Sequence, residues 1–149
     1  MRIVIQRVAQ AKVDVEGKTV GEIRKGALVL FGAHKEDQPS QTLWLAGKLV
    51  NLRIFADAQD KMNLSLLDIQ GEVLIVSQFT LYGNCLEGRR PEFTAAAPPA
   101  FATTLYEKFI AEVKSHKLKV ETGIFGARME VSLLNDGPIT LIVDAPSGV

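Results

Sequence analysis

The chain reads as a single-domain α+β protein, strand-rich, with about eight strands in a barrel-like or mixed sheet and two helices. Three observations lead there. Apolar runs of strand length are grouped, instead of alternating one for one with helices as a doubly wound sheet requires. Only two segments carry clear helical periodicity, and each is introduced by proline. No linker, repeat or low-complexity tract divides the 149 residues, a length that suits one domain with a substantial core.

In order along the chain, Arg2 to Val8 is strand-like. Ala11 to Val15 alternates with period two up to Glu16-Gly17-Lys18, a turn into Thr19 to Ile23. Gly26 to Gly32 is a short apolar run bounded by glycines, the pattern of a central strand. Pro39-Ser40 opens the first helix, with Leu43, Ala46, Leu49 and Val50 on one face and Gln41, Lys48 and Asn51 elsewhere. Arg53 to Phe55 follows as a short strand and Asp57 to Asn63 as a polar loop, while Leu64 to Ile69 fits either a strand or a helical turn. Glu72 to Val76 is a buried strand that ends in Ser77-Gln78-Phe79-Thr80. Tyr82 to Ala97 is irregular and rich in Gly, Arg and Pro, and loops of that length in a compact domain are usually functional or mobile. Pro98-Pro99 introduces the second helix, Ala100 to His116, whose Phe101, Leu105, Phe109 and Val113 recur every four residues as a buried stripe. Val120 to Phe125, Arg128 to Leu134 and Ile139 to Val143 complete the strands, with a turn through Asn135-Asp136-Gly137-Pro138 and a loose tail from Asp144.

Seventeen basic and seventeen acidic residues cancel, so any contact with nucleic acid must come from a local patch rather than from the overall field. A single cysteine, Cys85, excludes an intrachain disulfide and suits a reducing compartment. No apolar stretch approaches the roughly 20 residues of a membrane span, and the first residues lack a signal-peptide layout. These features point to a cytoplasmic protein with no membrane partner.

Conventional chemistry finds few footholds. The two histidines, His34 and His116, lie far apart and away from any nucleophile elbow, and the spacings of a zinc site, a P-loop or a dinucleotide fingerprint are absent. No metal or cofactor is expected. Two segments stand out because each breaks an apolar run with amide and hydroxyl groups: Ser77-Gln78-Phe79-Thr80, and Asn135-Asp136-Gly137-Pro138-Ile139-Thr140. Polar groups offered from the mouths of rigid strands hold small ligands, though each segment alone also reads as a plain strand exit or turn. Gly88-Arg89-Arg90-Pro91-Glu92-Phe93 pairs two cations with an aromatic, which fits a phosphate contact with base stacking or a solvated loop tethered by its Phe.

Taken together, about sixty residues apart, the two polar segments resemble the paired signatures of the D-aminoacyl-tRNA deacylases, S-Q-x-T and N-x-G-P-x-T, without a mismatch. The resemblance runs through Ile5-Gln6-Arg7-Val8, Val15-Glu16-Gly17, Arg53 to Asp57, Lys61 to Leu64, Gly88 to Phe93 and Thr122 to Gly126. It implies an enzyme that hydrolyses the ester between a D-amino acid and the terminal ribose of tRNA. It also implies a homodimer with active sites at the interface, where a cis Gly137-Pro138 of one subunit enters the pocket of the other. Ser77, Gln78, Phe79 and Thr80 would form that pocket, with backbone N–H groups around Gln78 and Phe79 stabilising the oxyanion. Arg7 would brace the Gly-Pro segment, Asn135 would order its own turn, and Arg89 and Arg90 would meet the tRNA acceptor end.

A glycine facing the α-carbon would let a D side chain escape and make an L side chain clash, so glycyl-tRNA, with nothing to reject, would also enter. Thr80 invites a nucleophile role but has no base nearby in sequence, which leaves the tRNA 2′-OH as the alternative catalytic group. Two other readings stay open: a related deacylase acting on mischarged L-alanyl-tRNA, and a nucleic-acid-binding module without catalysis.

Overall fold

The computed structural model describes residues Met1–Val149 as eight strands and three α-helices. The strands are β1 (Arg2–Val15), β2 (Lys18–Ile23), β3 (Gly26–Gly32), β4 (Phe55–Ala56), β5 (Met62–Leu64), β6 (Glu72–Ser77), β7 (Val120–Thr122) and β8 (Glu130–Asp144). The helices are α1 (Ser40–Asn51), α2 (Leu66–Ile69) and α3 (Pro99–Lys114).

The main sheet runs β2-β1-β3-β6-β7, with β8 on the other edge of β1. β3 and β6 pair in parallel, as do β6 and β7, while β1 is antiparallel to all three of its partners. The sheet curls until β2 meets β7: a methyl group added at Gly21 would lie 2.6 Å from the Thr122 carbonyl. The result is a nearly closed barrel. Alternation along the central strands divides the core accordingly. Ala27, Val29 and Phe31 of β3 and Val73 and Ile75 of β6 face a large cluster under α1 and α3, whereas Leu28, Leu74 and Val76 fill the barrel with Val8, Val13 and Ile23.

Several local expectations change. The segment from Val131 to Val143 is not two strands joined by a turn; it is one strand, β8, and both of its halves pair with β1. Gln6 pairs with Thr140 and Val8 with Asn135, so the single residue Arg7 faces four, Asp136 to Ile139, which loop out as a bulge. The segment that fitted either a strand or a helical turn is the latter, a third short helix α2, because Ser65 and Asp68 form a reciprocal capping box there. β4 and β5 make a small separate sheet, so the strand expected at Arg53 to Phe55 begins two residues later and the polar loop ends in β5. In α1 the buried face carries Gln41, Thr42, Leu45, Ala46, Leu49 and Val50, while Leu43 is exposed. β7 stops at Thr122, and the tail is docked: Arg2 Nε donates to Asp144 at 2.7 Å, the Ala145 amide to the Met1 carbonyl, and the buried Gln41 amide to the Pro146 carbonyl. No helix is long and apolar enough to cross a membrane.

Two glycines test this packing in opposite directions. A Cβ at Gly26 would sit 1.8 Å from the Glu72 carbonyl, so Gly26→Ala is expected to cost about 3 kcal/mol or more. Gly47, in the middle of α1, has nothing within 4 Å of the same position, and Gly47→Ala should gain about 0.4–1 kcal/mol. Denaturant titration of both variants measures the pair.

Candidate active site

β6 brings the first polar segment to the end of the sheet. Its last ladder bond runs from the Gln78 amide to the Phe31 carbonyl at 2.7 Å. The chain then leaves as a 3₁₀ turn over Phe79–Tyr82. Because the Gln78 N–H is engaged by Phe31, it is not available as the oxyanion donor that the sequence allowed. The Phe79 and Thr80 amides open the 3₁₀ turn, where no earlier carbonyl of that turn reaches them. The Gln78 side-chain amide donates to the Thr80 hydroxyl at 2.5 Å, and neither a histidine nor a carboxylate is bonded to that hydroxyl.

Hollows flank the segment on both sides. One, of about 80 Å³, is lined by Phe31, Ala33, Ser77 to Phe79, Ala102, Phe125 and Gly126. The other lies between Val76 to Phe79 and the stretch Gly126 to Val131. Phe125, Gly126 and Met129 therefore belong to the site, although only the glycine-flanked run Thr122 to Gly126 hinted at it in sequence. Phe79 is 56% exposed and meets Phe93 edge-on at 5.1 Å, which joins the motif to the basic loop. That loop is closed at its base by mutual backbone bonds between Asn84 and Glu92, and Glu92 accepts from the Thr94 hydroxyl and amide, which hold its carboxyl below the usual carboxylate range. Arg89 and Arg90 are exposed beyond that closure, and neither enters an ion pair.

The second polar segment is the β8 bulge. The Gly137–Pro138 peptide is cis, Gly137 has φ +126°, and both residues are exposed. Arg7 reaches across from β1 and ties two places together: its Nε donates to the Asp136 carbonyl at 3.0 Å and its Nη1 to the Ile54 carbonyl at 2.8 Å. A Cβ at Gly137 would lie 2.8 Å from that guanidinium. Asn135 closes the bulge by accepting from the Ile139 amide and donating to the Thr140 hydroxyl.

Within one chain the two segments do not meet. Ser77 is level with Phe31 and Ile3, whereas the bulge lies opposite Arg7, four residues along β1 and about 13 Å away at the usual strand rise. Three strand-to-strand steps separate them as well. His34 is structural: its Nδ1 accepts from the Glu36 amide and its ring packs edge-on against Tyr82, whose hydroxyl pKa is raised by burial.

The model of a known family, described as D-Tyr-tRNA(Tyr) deacylase, matches residues 4–144. The chain belongs to that family. A relative from Thermosipho africanus, named D-aminoacyl-tRNA deacylase, is 61% identical over 97% of this chain and 97% of its own. Another of the same name from Geotalea uraniireducens is 58% identical over 98% of this chain and 94% of its own. Among solved structures, one titled c-Myc DNA Unwinding Element Binding Protein matches with TM-score 0.91 and 38% identity, covering 99% of this chain and 100% of its own. A probable eukaryotic D-amino acid tRNA deacylase shares the fold at TM-score 0.80 and 21% identity, covering 95% of this chain and 97% of its own.

Arg7→Lys keeps the charge but removes the fork that holds two carbonyls. The variant should lose about 1–2 kcal/mol of stability, and the Ile139 amide should exchange faster with solvent. Hydrogen exchange across β8 checks this, with Val143 as the unaffected reference.

Proposed function

We propose that this chain is a hydrolase that cleaves the ester between a D-amino acid and the 3′-terminal ribose of tRNA. The observation that carries the reading is 58–61% identity, over nearly the whole chain, to proteins named for this activity, together with both signature segments intact. In this reading the active site is shared by two copies. Ser77 to Thr80 of one copy form the floor, and Gly137-Pro138 of the other judge chirality. Two features support a dimer. The two segments of a single chain lie too far apart for one aminoacyl group to touch both, and β8, paired with β1 on one side only, leaves its outer edge free and bears exposed Leu133, Leu134, Leu141 and Ile142.

Each residue type then has a task. Gly137, exposed and without Cβ, lets backbone approach the substrate α-carbon, and its carbonyl with that of Pro138 receives the ammonium group. An L side chain collides with this backbone; a D side chain points away, and glycine passes because it has none. Arg7 holds the bulge at the right distance. The Phe79 and Thr80 amides stabilise the tetrahedral oxyanion, while the ribose 2′-OH activates water or assists departure of the 3′ oxygen. Thr80 is a poor nucleophile here, since its hydroxyl is occupied by an amide donor and lacks a base to take its proton. Arg89 and Arg90 meet phosphates of the acceptor end.

Purified protein on D-tyrosyl-, L-tyrosyl- and L-alanyl-tRNA is the deciding experiment. Hydrolysis of the D ester alone is expected; preference for L-alanyl-tRNA would favour the related deacylase, and no hydrolysis of any would favour a binding module. Thr80→Ala should retain most activity, whereas tRNA ending in 2′-deoxyadenosine should turn over slowly; the reverse pattern would return catalysis to Thr80. Replacing Arg89 and Arg90 by Ala should weaken tRNA binding and reduce the salt slope by about two, at nearly one per phosphate contact.

A further inference from the structure

The hydrogen bonds of β6 alternate between its two edges. Amides of even-numbered residues point to β3: Glu72 donates to the Lys25 carbonyl and Gln78 to the Phe31 carbonyl. Odd-numbered ones point to β7, where Val73 donates to the Lys119 carbonyl and the Ile75 carbonyl accepts from the Gly123 amide. β7 ends at Thr122, paired with Ile75, so no strand continues beside Ser77. Left alone, the Ser77 amide would lack a partner at the point where the polar segment begins, and unpaired backbone donors are rarely tolerated.

Tyr106 of α3 fills that place. It is 4% exposed, its hydroxyl donates to the Ile75 carbonyl at 2.9 Å beside the Gly123 amide that bonds the same carbonyl, and the Ser77 amide faces the phenol oxygen. Burial pushes the phenol pKa up to about 12, so it keeps the proton it donates. Its ring stands between Phe31 and Phe125, each with its centroid 5.8 Å away, and both of those rings line the hollow beside Ser77 to Phe79.

We propose that Tyr106 is a positioning residue for this site, its hydroxyl anchoring the Ile75 carbonyl where β7 ends and fixing the direction in which Ser77 to Thr80 leave the sheet. The inference rests on the deacylase reading for its catalytic consequence, but not for its structural one. A phenol does this where a strand would not, because it bonds one carbonyl, faces the amide that follows and then stops. A longer β7 would continue the ladder and cover the segment. The oxygen touches no substrate; it acts through the backbone amides that follow.

The test is Tyr106→Phe, which keeps the ring and removes only the oxygen. The expected results are exchange of the Ser77 amide at least about tenfold faster, kcat on D-aminoacyl-tRNA about tenfold lower, and KM changed less than about twofold. Val113→Ala, a buried change on the same helix away from the site, controls for general loosening. It should lower stability and leave kcat unchanged. Unaltered exchange at Ser77 overturns the proposal, as does unaltered kcat or an equal loss of kcat in Val113→Ala. Should the wild-type protein leave D-aminoacyl-tRNA intact, the deacylase reading fails instead. The exchange measurement still judges whether Tyr106 holds Ser77.

Discussion

A β-strand has two hydrogen-bonding edges, and β1 has three partners. That constraint organises the molecule. β3 takes the first half of one edge and β2 the second half, so the sheet must turn between them and curl toward β7. The other edge is left to β8 alone, which follows β1 from Arg2 to Asp14. A strand matched to a curving neighbour over that length does not keep register throughout. The mismatch is absorbed at one place, where β8 bulges by four residues opposite Arg7 and β1 adds Ala9 just beyond. The exposed Gly137 and Pro138 are therefore a consequence of how the barrel closes.

Arg7 converts this topological necessity into a defined shape. One guanidinium joins the bulge to the end of the segment after α1, through the Asp136 and Ile54 carbonyls, and it is only 14% exposed while it does so. Its contact with the Asp136 carboxylate is longer, at 3.6 Å, and that carboxylate is largely solvated. The uncharged backbone contacts therefore carry more of the geometry than the ion pair. Asn135 works from the other side of the bulge with both ends of its amide. Arg7 and Asn135 thus fix the loop between them by hydrogen bonds.

Much of this was legible in the residues. The apolar run Gly26 to Gly32 is a central strand buried on both faces, the Pro98-Pro99 signal does start a helix, and the alternation around Glu16-Gly17 does make a hairpin. What the sequence hid was long-range pairing. Asn135-Asp136-Gly137-Pro138 has the composition of a turn, and nothing local tells a turn that reverses the chain from a bulge that lets it continue along the same neighbour. Leu43 and Gln41 were misassigned for a related reason. A helical wheel gives the stripe but not the partner, and Gln41 is buried because the tail carbonyls Ala145 and Pro146 lie against it. The phenol Tyr106 was equally invisible, since its importance comes from where β7 ends.

The site also explains why so few reactive side chains are needed. In the proposed reading, a substrate that brings its own hydroxyl next to the scissile ester would require from the protein an oriented pocket, donors for a developing oxyanion and a chirality filter, and backbone would supply all three. Backbone donors are only as good as their placement. The geometry then rests on groups that aim the main chain: the Phe31 carbonyl holding Gln78, the Gln78 amide holding Thr80, Arg7 holding Asp136. None of these needs to titrate near neutrality.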